Sequence, residues 1–305
     1  IAAFLISGEI ARRLTRSLYQ LKEVAEAVER GQHDVRSTIV REDEVGVLTR
    51  GFNQMLDVLE VSERKLAHLN KAYAAWTECT EAIVREPDEQ ALLEHICRIL
   101  AERMMFKLVW IGMTDPDGWV HVVAANDSSS EYLKKLRISV DESLPEGRGP
   151  VGTAIRDGEP KILNDFLHQP TPWLAAAKLH NFQSVAAMPL MRSGKCVGVI
   201  VVYSVNSYYF SPDLITLLHG LAEDISYALD NFDHERHRRE TELQLELAAR
   251  VFENSKEGIM VTDVNSNIIS VNRGFIGITN YTADEVIGQN PRMLASGRHN
   301  QGFFQ

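Results

Sequence analysis

Cysteine is scarce in this sequence. The three present, Cys79, Cys97 and Cys196, are far apart, odd in number and without metal-ligand spacing. That pattern excludes a disulfide framework and a cysteine-built zinc site, and it fits a reducing compartment. All three read as small, mostly buried residues; a redox role for Cys196 is the alternative. Positive charge is also short. Lys and Arg number 32 against 42 Asp and Glu, a net charge of −10 with no long basic run, which argues against a nucleic-acid-binding surface. The catalytic constellations are missing as well. No Ser/His/Asp or Cys/His set has support from its local context. Asp115 and Asp117 fall in Asp115-Pro116-Asp117-Gly118, which reads as turn chemistry. Gly147-x-Gly149-x-x-Gly152 has part of the spacing of a phosphate loop, but neither the preceding strand of a dinucleotide fold nor the Gly-Lys-Ser/Thr ending of a P-loop. The chain is therefore read as carrying no catalytic and no metal site.

What is present is helical periodicity of great length. Ile1-Ala2-Ala3-Phe4-Leu5-Ile6 is followed by Arg12, Arg13 and Arg16. Six apolar residues cannot span a bilayer, which needs about 20, but an apolar run closing on a basic cluster reads as the cytoplasmic end of a transmembrane helix. Ile10, Leu14, Ser17, Leu21, Val24 and Val28 then recur in threes and fours up to Gly31, a heptad seam ended by a C-terminal glycine. A second seam opens after Asp43-Glu44 and runs Val45, Leu48, Phe52, Met55, Leu59, Ser62, Leu66, Leu69, Tyr73, Trp76, Thr80 and Ile83. A helix of this length, about 60 Å, cannot bury its stripe alone. It implies a partner chain, most simply a parallel homodimer.

Glu86-Pro87-Asp88 breaks the helix, and a shorter one follows with Leu92, Leu93, Ile96, Ile99 and Leu100 on one face. Strand patterning follows. Leu108 to Met113 and Trp119 to Ala125 flank the Asp-Pro-Asp-Gly turn, and Ser184 to Met191 and Cys196 to Tyr203 flank Ser193-Gly194. Segments Ser130 to Leu136 and Pro172 to His180 read as helices between the two hairpins. From Ser211-Pro212-Asp213 a long helix carries Leu218, Leu221, Ile225, Ala228 and Phe232 at heptad spacing, expected to act as an interchain linker, and continues through Leu243, Leu247 and Val251. A last hairpin is expected at Gly258 to Thr262 and Ile268 to Val271, turning at Asn265-Ser266-Asn267.

Three resemblances rest on these residues. The two heptad helices, Gly31 in the connector and Asp43-Glu44-Val45-Gly46 at the second helix start resemble a HAMP signalling linker over residues 7–60. Carboxylates suit a helix start because they accept from free backbone N–H groups and favour the dipole. The resemblance further implies that Glu44 ties the two helices together. Ser17 stands where proline is usual, and His33 and Ser37 where apolar residues are usual. The middle segment, residues 70–232, resembles a GAF domain through the glycine string Gly147 to Ala154, expected to precede a helix, together with Lys161-Ile162-Leu163-Asn164-Asp165, Ser184 to Leu190 and Val197-Gly198-Val199-Ile200. Such domains bind small molecules, or nothing, between sheet and intervening helices. The ligand-binding candidates are Trp110, Asn164, Asp165, Trp173, Phe182, Ser184 and Tyr203. Cofactor signatures are missing: there is no Asn-Lys-x-x-Phe-x-x-x-Asp-Glu string, and no cysteine beside a histidine, His180 being followed by Asn181. His121, His168 and His180 read as surface or structural rather than haem ligands. The last segment, 250–305, resembles the N-terminal part of a PAS domain through Glu257-Gly258-Ile259, Thr262-Asp263, Asn272-Arg273-Gly274-Phe275, Tyr281, Glu285-Val286-Ile287-Gly288, Asn290-Pro291-Arg292 and Ser296-Gly297-Arg298.

The expected fold class is α+β multidomain. It comprises the end of a transmembrane helix (1–6), a HAMP helical coiled coil (7–60), a coiled-coil signalling helix (61–84), a GAF domain with an antiparallel sheet and flanking helices (70–232), a coiled-coil linker helix (233–249) and a partial PAS domain (250–305). The resemblances imply the sensor and relay region of a bacterial receptor in the cytoplasmic membrane, facing the cytoplasm and acting as a homodimer. Gly31, Asp43, Glu44 and Gly46 would serve signal relay. No cofactor is evident beyond a small-molecule ligand in the GAF pocket. The expected output is cyclic-di-GMP turnover, with a histidine kinase, a GAF-type enzyme and a purely structural spacer as alternatives.

Overall fold

The computed structural model describes residues 2–168 and 173–295, without the side chains of 2–14 and 176. Ile1, Pro172 and Ser296-Gly297-Arg298 of the expectations above lie outside the described residues. The chain divides into two units, 1–230 and 231–305.

The first unit opens with two helices. Helix α1 (Ala2–Glu29) ends where Gly31 takes φ +86°, its N–H bonding to the Val28 carbonyl and the Gln32 N–H to Ala27. Among the described residues no helix is long and apolar enough to cross a membrane. Helix α2 (Glu44–Arg85) starts at Asp43, whose carboxylate accepts from the Gly46 N–H, and runs unbroken for 42 residues. Two stripes along it have opposite fates. Ala72, Ala75, Cys79 and Ala82 are buried, while Leu48, Met55, Leu59, Leu66 and Tyr73 of the heptad seam are exposed. Helix α3 (Glu89–Met104), capped by Asp88 through the Ala91 N–H, packs antiparallel-wise back along α2, and Arg103 of α3 pairs with Glu78 of α2 at 2.6 Å.

Strands β1 (Leu108–Thr114) and β2 (Val120–Ala125) form the first hairpin. Helices α4 (Glu131–Lys135) and α5 (Pro150–Asp157) follow, then β3 (Lys161–Leu163), α6 (Leu174–His180), β4 (Ser184–Arg192) and β5 (Lys195–Ser204). The five strands make one antiparallel sheet in the order β2-β1-β5-β4-β3. The glycine string expected to precede a helix instead runs into it. Pro150 occupies the first turn of α5, where a missing N–H costs nothing, and Gly158 in the left-handed region ends it.

Alternation along β1, β4 and β5 gives the sheet two buried faces. Val109, Ile111, Ala186, Met188, Ile200 and Val202 point to one, against which α3 lies. Leu108, Trp110, Val185, Ala187, Val199, Val201 and Tyr203 point to the other, covered by residues of α4, α5 and α6. Helix α7 (Pro212–Asn254) leaves the sheet at its N-terminal end, and Ser226 and Asp230 accept from the Met191 and Ser193 backbone N–H groups of the β4–β5 turn. Its seam does not face a second chain. Leu218, Leu221, Ile225 and Ala228 are buried within this unit, and Leu214, Leu217, Leu218 and Leu221 share a small void with Ala72, Ala75 and Trp76 of α2. The expectation of an interchain linker is corrected accordingly for Leu218 to Ala228, while Phe232 of the same seam is half-buried and belongs to the second unit: heptad spacing states that a stripe is buried, not by whom. The indole of Trp76 donates to Asp224 at 2.6 Å across the same contact.

The second unit holds the hairpin of β6 (Met260–Thr262) and β7 (Ile268–Val271), then α8 (Arg273–Thr279) and α9 (Ala283–Val286). Ile268, Val271, Phe275 and Val286 form its core. Asn272 is its polar centre. The side chain is fully buried; Oδ1 accepts from the Ile259 and Phe275 N–H groups at 2.8 and 2.9 Å, and Nδ2 donates to the Phe252 and Glu257 carbonyls, both at 2.9 Å.

Candidate functional site

The covered face of the five-stranded sheet leaves one small cavity beneath α4 and α5. It is lined by Tyr132, Leu136, Ile138, Gly149, Pro150, Val151, Phe166, Trp173 and Tyr203, and its volume is about 10 Å3, the space of a single water. Tyr203 ends β5 and Tyr132 sits on α4; their hydroxyls meet at 3.0 Å and their rings at 76°. Phe166 follows β3, its N–H bonded to the Gln183 carbonyl at 2.8 Å, which holds the ring under the sheet. Burial pushes the Tyr203 phenol up to about 12 and the Tyr132 phenol well above its ordinary value, so both keep their protons at neutral pH. Phe182 stands behind them, 4.5 Å from Tyr203 between ring centres, with His180 stacked on it at 5.6 Å.

The ceiling of the cavity is Trp173 lying on Gly149. A Cβ on Gly149 would fall 2.3 Å from Cζ3 and 2.6 Å from Cη2 of the indole, so only glycine lets the ring come this close. Nothing charged lines the space.

The sequence candidates divide cleanly here. Tyr203 and Trp173 line the cavity. Trp110 and Phe182 belong to the surrounding core cluster without lining it, and the fully buried Trp110 indole nitrogen has no hydrogen-bond partner of good geometry, although its dipole is felt at the Tyr203 hydroxyl. Asn164, Asp165 and Ser184 are engaged elsewhere. The Asn164 amide clamps the backbone of Phe210, accepting from its N–H and donating to its carbonyl, both at 3.0 Å, while its own carbonyl accepts from the Tyr208 N–H at 2.8 Å. Asp165 pairs with His168 at 2.6 Å. The Ser184 hydroxyl donates to the Asn206 carbonyl at 2.8 Å. Tyr132 and Phe166 were missed. A single aromatic in a short helix, or one residue past a strand, gives no periodic signal.

At the helix junction of the first unit, the connector between α1 and α2 is pinned by polar groups. The Arg36 guanidinium reaches Asp57 at 2.7 Å and Glu60 at 2.6 Å, Asn53 and the Ser37 backbone exchange two hydrogen bonds, and His33 pairs with Glu63. The Asp43 carboxyl is held below its usual range, first by Arg41 and then by the Gly46 N–H. Arg41 also reaches the Ser17 hydroxyl of α1 at 3.3 Å. The tie between the helices, which the resemblance assigned to Glu44, has this described route through Asp43, Arg41 and Ser17; Glu44 itself is exposed. Gly46 is required by contact, because a Cβ there would sit 1.8 Å from the Arg41 carbonyl oxygen. Gly46→Ala should push the connector off α2 and cost the first unit about 1–3 kcal/mol, the range for an overpacked site. A urea midpoint equal to that of the parent chain would contradict the close approach.

Among the described residues no group of three or more His, Cys, Asp or Glu is placed to hold a metal ion. The thiols are not activated either: burial pushes Cys79 up to about 12, and raises Cys97 and Cys196 as well.

Comparison with known proteins gives the same segmentation. A HAMP domain model matches residues 10–61, a GAF domain model residues 86–230 and a PAS domain model residues 256–305. Among solved structures, the chain is similar to a free methionine-R-sulfoxide reductase from Neisseria meningitidis in complex with its substrate, at 18% identity over 54% of this chain and 91% of that one, with a TM-score of 0.46. It is also similar to the GAF domain of a phosphoenolpyruvate-protein phosphotransferase from Coxiella burnetii, at 18% identity over 55% and 96%, TM-score 0.45. The corresponding GAF domain from Acinetobacter matches at 16% identity over 54% and 97%, TM-score 0.44. The chain thus carries a HAMP, a GAF and a PAS domain in that order, and is a signal-transduction sensor region.

Proposed function

We propose that this region relays a conformational signal in a membrane-bound bacterial receptor, as a parallel homodimer whose GAF and PAS domains control an output enzyme of cyclic-di-GMP turnover. The observation that carries the relay reading is the double-faced α2. One helix, without a break, lends its Ala72, Ala75, Cys79 and Ala82 stripe to the GAF core and leaves the seam of Leu48, Met55, Leu59, Leu66 and Tyr73 exposed. A long apolar seam at heptad spacing left open to water favours a second helix of the same kind. Motion of the HAMP helices about that seam would then be felt directly at the GAF core, since the same backbone serves both.

Met55→Cys tests it. The thiol on the exposed seam should cross-link efficiently to its counterpart in a second copy on mild oxidation in membranes. A monomer at micromolar concentration with no cross-link would sink the dimer. The cyclic-di-GMP assignment rests on resemblance in the Asn290-Pro291-Arg292 and Ser296-Gly297-Arg298 strings. It requires that full-length protein alter cyclic-di-GMP in cells while the 305-residue chain neither makes nor degrades it. A phospho-accepting histidine helix with an ATP-binding domain downstream would replace that assignment with a kinase. A thiol-dependent reductase activity of the chain would favour a GAF-type enzyme instead, a reading that the raised cysteine pKa values disfavour.

A further inference from the structure

We propose that the GAF cavity takes a neutral, planar aromatic molecule bearing a hydrogen-bond acceptor, and that this ligand occupies the space now filled by the Trp173 indole. The inference deepens the sensor reading above and rests on it. Three observations converge. First, of the eight lining residues other than Trp173, three are aromatic, the rest are aliphatic or glycine, and none is charged. A charged ligand would be stripped of water with nothing to pair it, which is prohibitive in such a site. Second, the polar atoms of the wall have a donor left over. Tyr132 and Tyr203 each hold a phenolic proton, and the contact between their oxygens employs one. No described acceptor takes the second proton of the pair, so the complementary ligand atom is an acceptor such as a carbonyl oxygen or ring nitrogen. The fully buried Trp110 N–H bears on the Tyr203 hydroxyl as a donor and supplies no acceptor for that proton. Third, the space is full. With the Trp173 ring seated on Gly149 only about 10 Å3 remains. The group that fills it is a planar bicycle packed among aromatic rings, so a ring of like shape is what the walls fit once the indole withdraws. A quaternary ammonium ion would also be drawn to ring faces, but it has no atom to accept the surplus phenolic proton.

The occupied state sets a measurable handicap. If the receptive form is a minor population, its apparent affinity is reduced by that fraction. Titration calorimetry of the whole 305-residue chain with acetophenone, ethylbenzene, benzoate and choline separates the ligand classes. Acetophenone should bind weakly to the parent chain and about tenfold tighter to Trp173→Ala. Trp173→Val, which vacates the space of the ring with a smaller loss of packing, should tighten binding in the same direction and serves if Trp173→Ala does not fold; Gly149→Ala, whose Cβ falls in the space the ligand needs, should weaken it. Adding Tyr132→Phe and Tyr203→Phe together, which removes both phenolic protons, should weaken acetophenone about fivefold, the worth of one hydrogen bond, and leave ethylbenzene unchanged. Tighter binding of benzoate or choline than of acetophenone overturns the ligand class. So does failure of both folded opening variants to bind acetophenone, or loss of ethylbenzene binding with the two phenolic hydroxyls. The Met55→Cys cross-link reads the relay separately: cross-linking without acetophenone binding removes this inference alone, and the reverse removes the relay alone.

Discussion

Asn272→Ala is expected to unfold the second unit while the five-stranded sheet of the first stays intact. The amide is fully buried and joins four backbone groups from three segments: the carbonyls of Phe252 and Glu257, the N–H of Ile259 and the N–H of Phe275 at the start of α8. Truncation leaves two donors and two acceptors without their partner. At about 1–3 kcal/mol for each buried group stranded in this way, and with some relief from entering water, a loss of about 3–5 kcal/mol follows. That is a large part of the total stability of any small domain. Asn272→Asp should do nearly as badly, because a carboxylate replaces the donor that faces two carbonyl oxygens. Hydrogen exchange read at Ile259 and Phe275 decides it. Protection of both amides at parental levels in the alanine variant would refute the account.

Asn164→Ala is expected to have the largest effect in the first unit outside the apolar core. Its side chain makes both hydrogen bonds to the Phe210 backbone, while the bond from the Tyr208 N–H goes to its backbone carbonyl and survives the substitution. It stands two residues before Phe166 of the cavity wall, and Phe210 stands two residues before the first residue of α7. The clamp thus links the segment that carries Phe166 to the segment that enters α7. Losing it should cost about 1–3 kcal/mol and, more tellingly, should disconnect the two ends. A molecule bound in the cavity would still change the environment of Tyr203 but no longer slow exchange at the Phe210 amide. Equal ligand-dependent protection of Phe210 in parent and variant would show that the signal leaves by another path.

The periodic parts of this chain were legible in advance and the singular parts were not. The break at Glu86-Pro87-Asp88, the start at Asp43, the end at Gly31 and both hairpins of the sheet follow from local rules that need no knowledge of distant residues. The sheet order needs pairings such as Leu108 with Tyr203, which no local rule supplies. The seam of α7 was legible as buried, but its partner was misread, since α2 and α3 of the same chain fill the role a second chain would. The small-residue stripe of Ala72, Ala75, Cys79 and Ala82 was passed over because alanine carries almost no hydrophobic signal, although close helix approach demands it. In sequence Asn164 and Ser184 resemble ligand-facing groups, because polar residues near a strand end suggest a binding site. Their actual partners, Phe210 and Asn206, lie 46 and 22 residues away in sequence.

The unbroken course of α2 from Glu44 to Arg85 makes its residue count a mechanical quantity. Each residue added to an α-helix advances it by about 1.5 Å and turns everything beyond by about 100°. Two added residues would swing the alanine stripe by about 200°, to nearly the opposite side from the helices α3 and α7 it packs against. Seven would return it to within about 20° of its original bearing. The helix therefore behaves as an indexed shaft. Its length can change without disengaging one end only by residue numbers close to whole turns, such as about seven, eleven or eighteen.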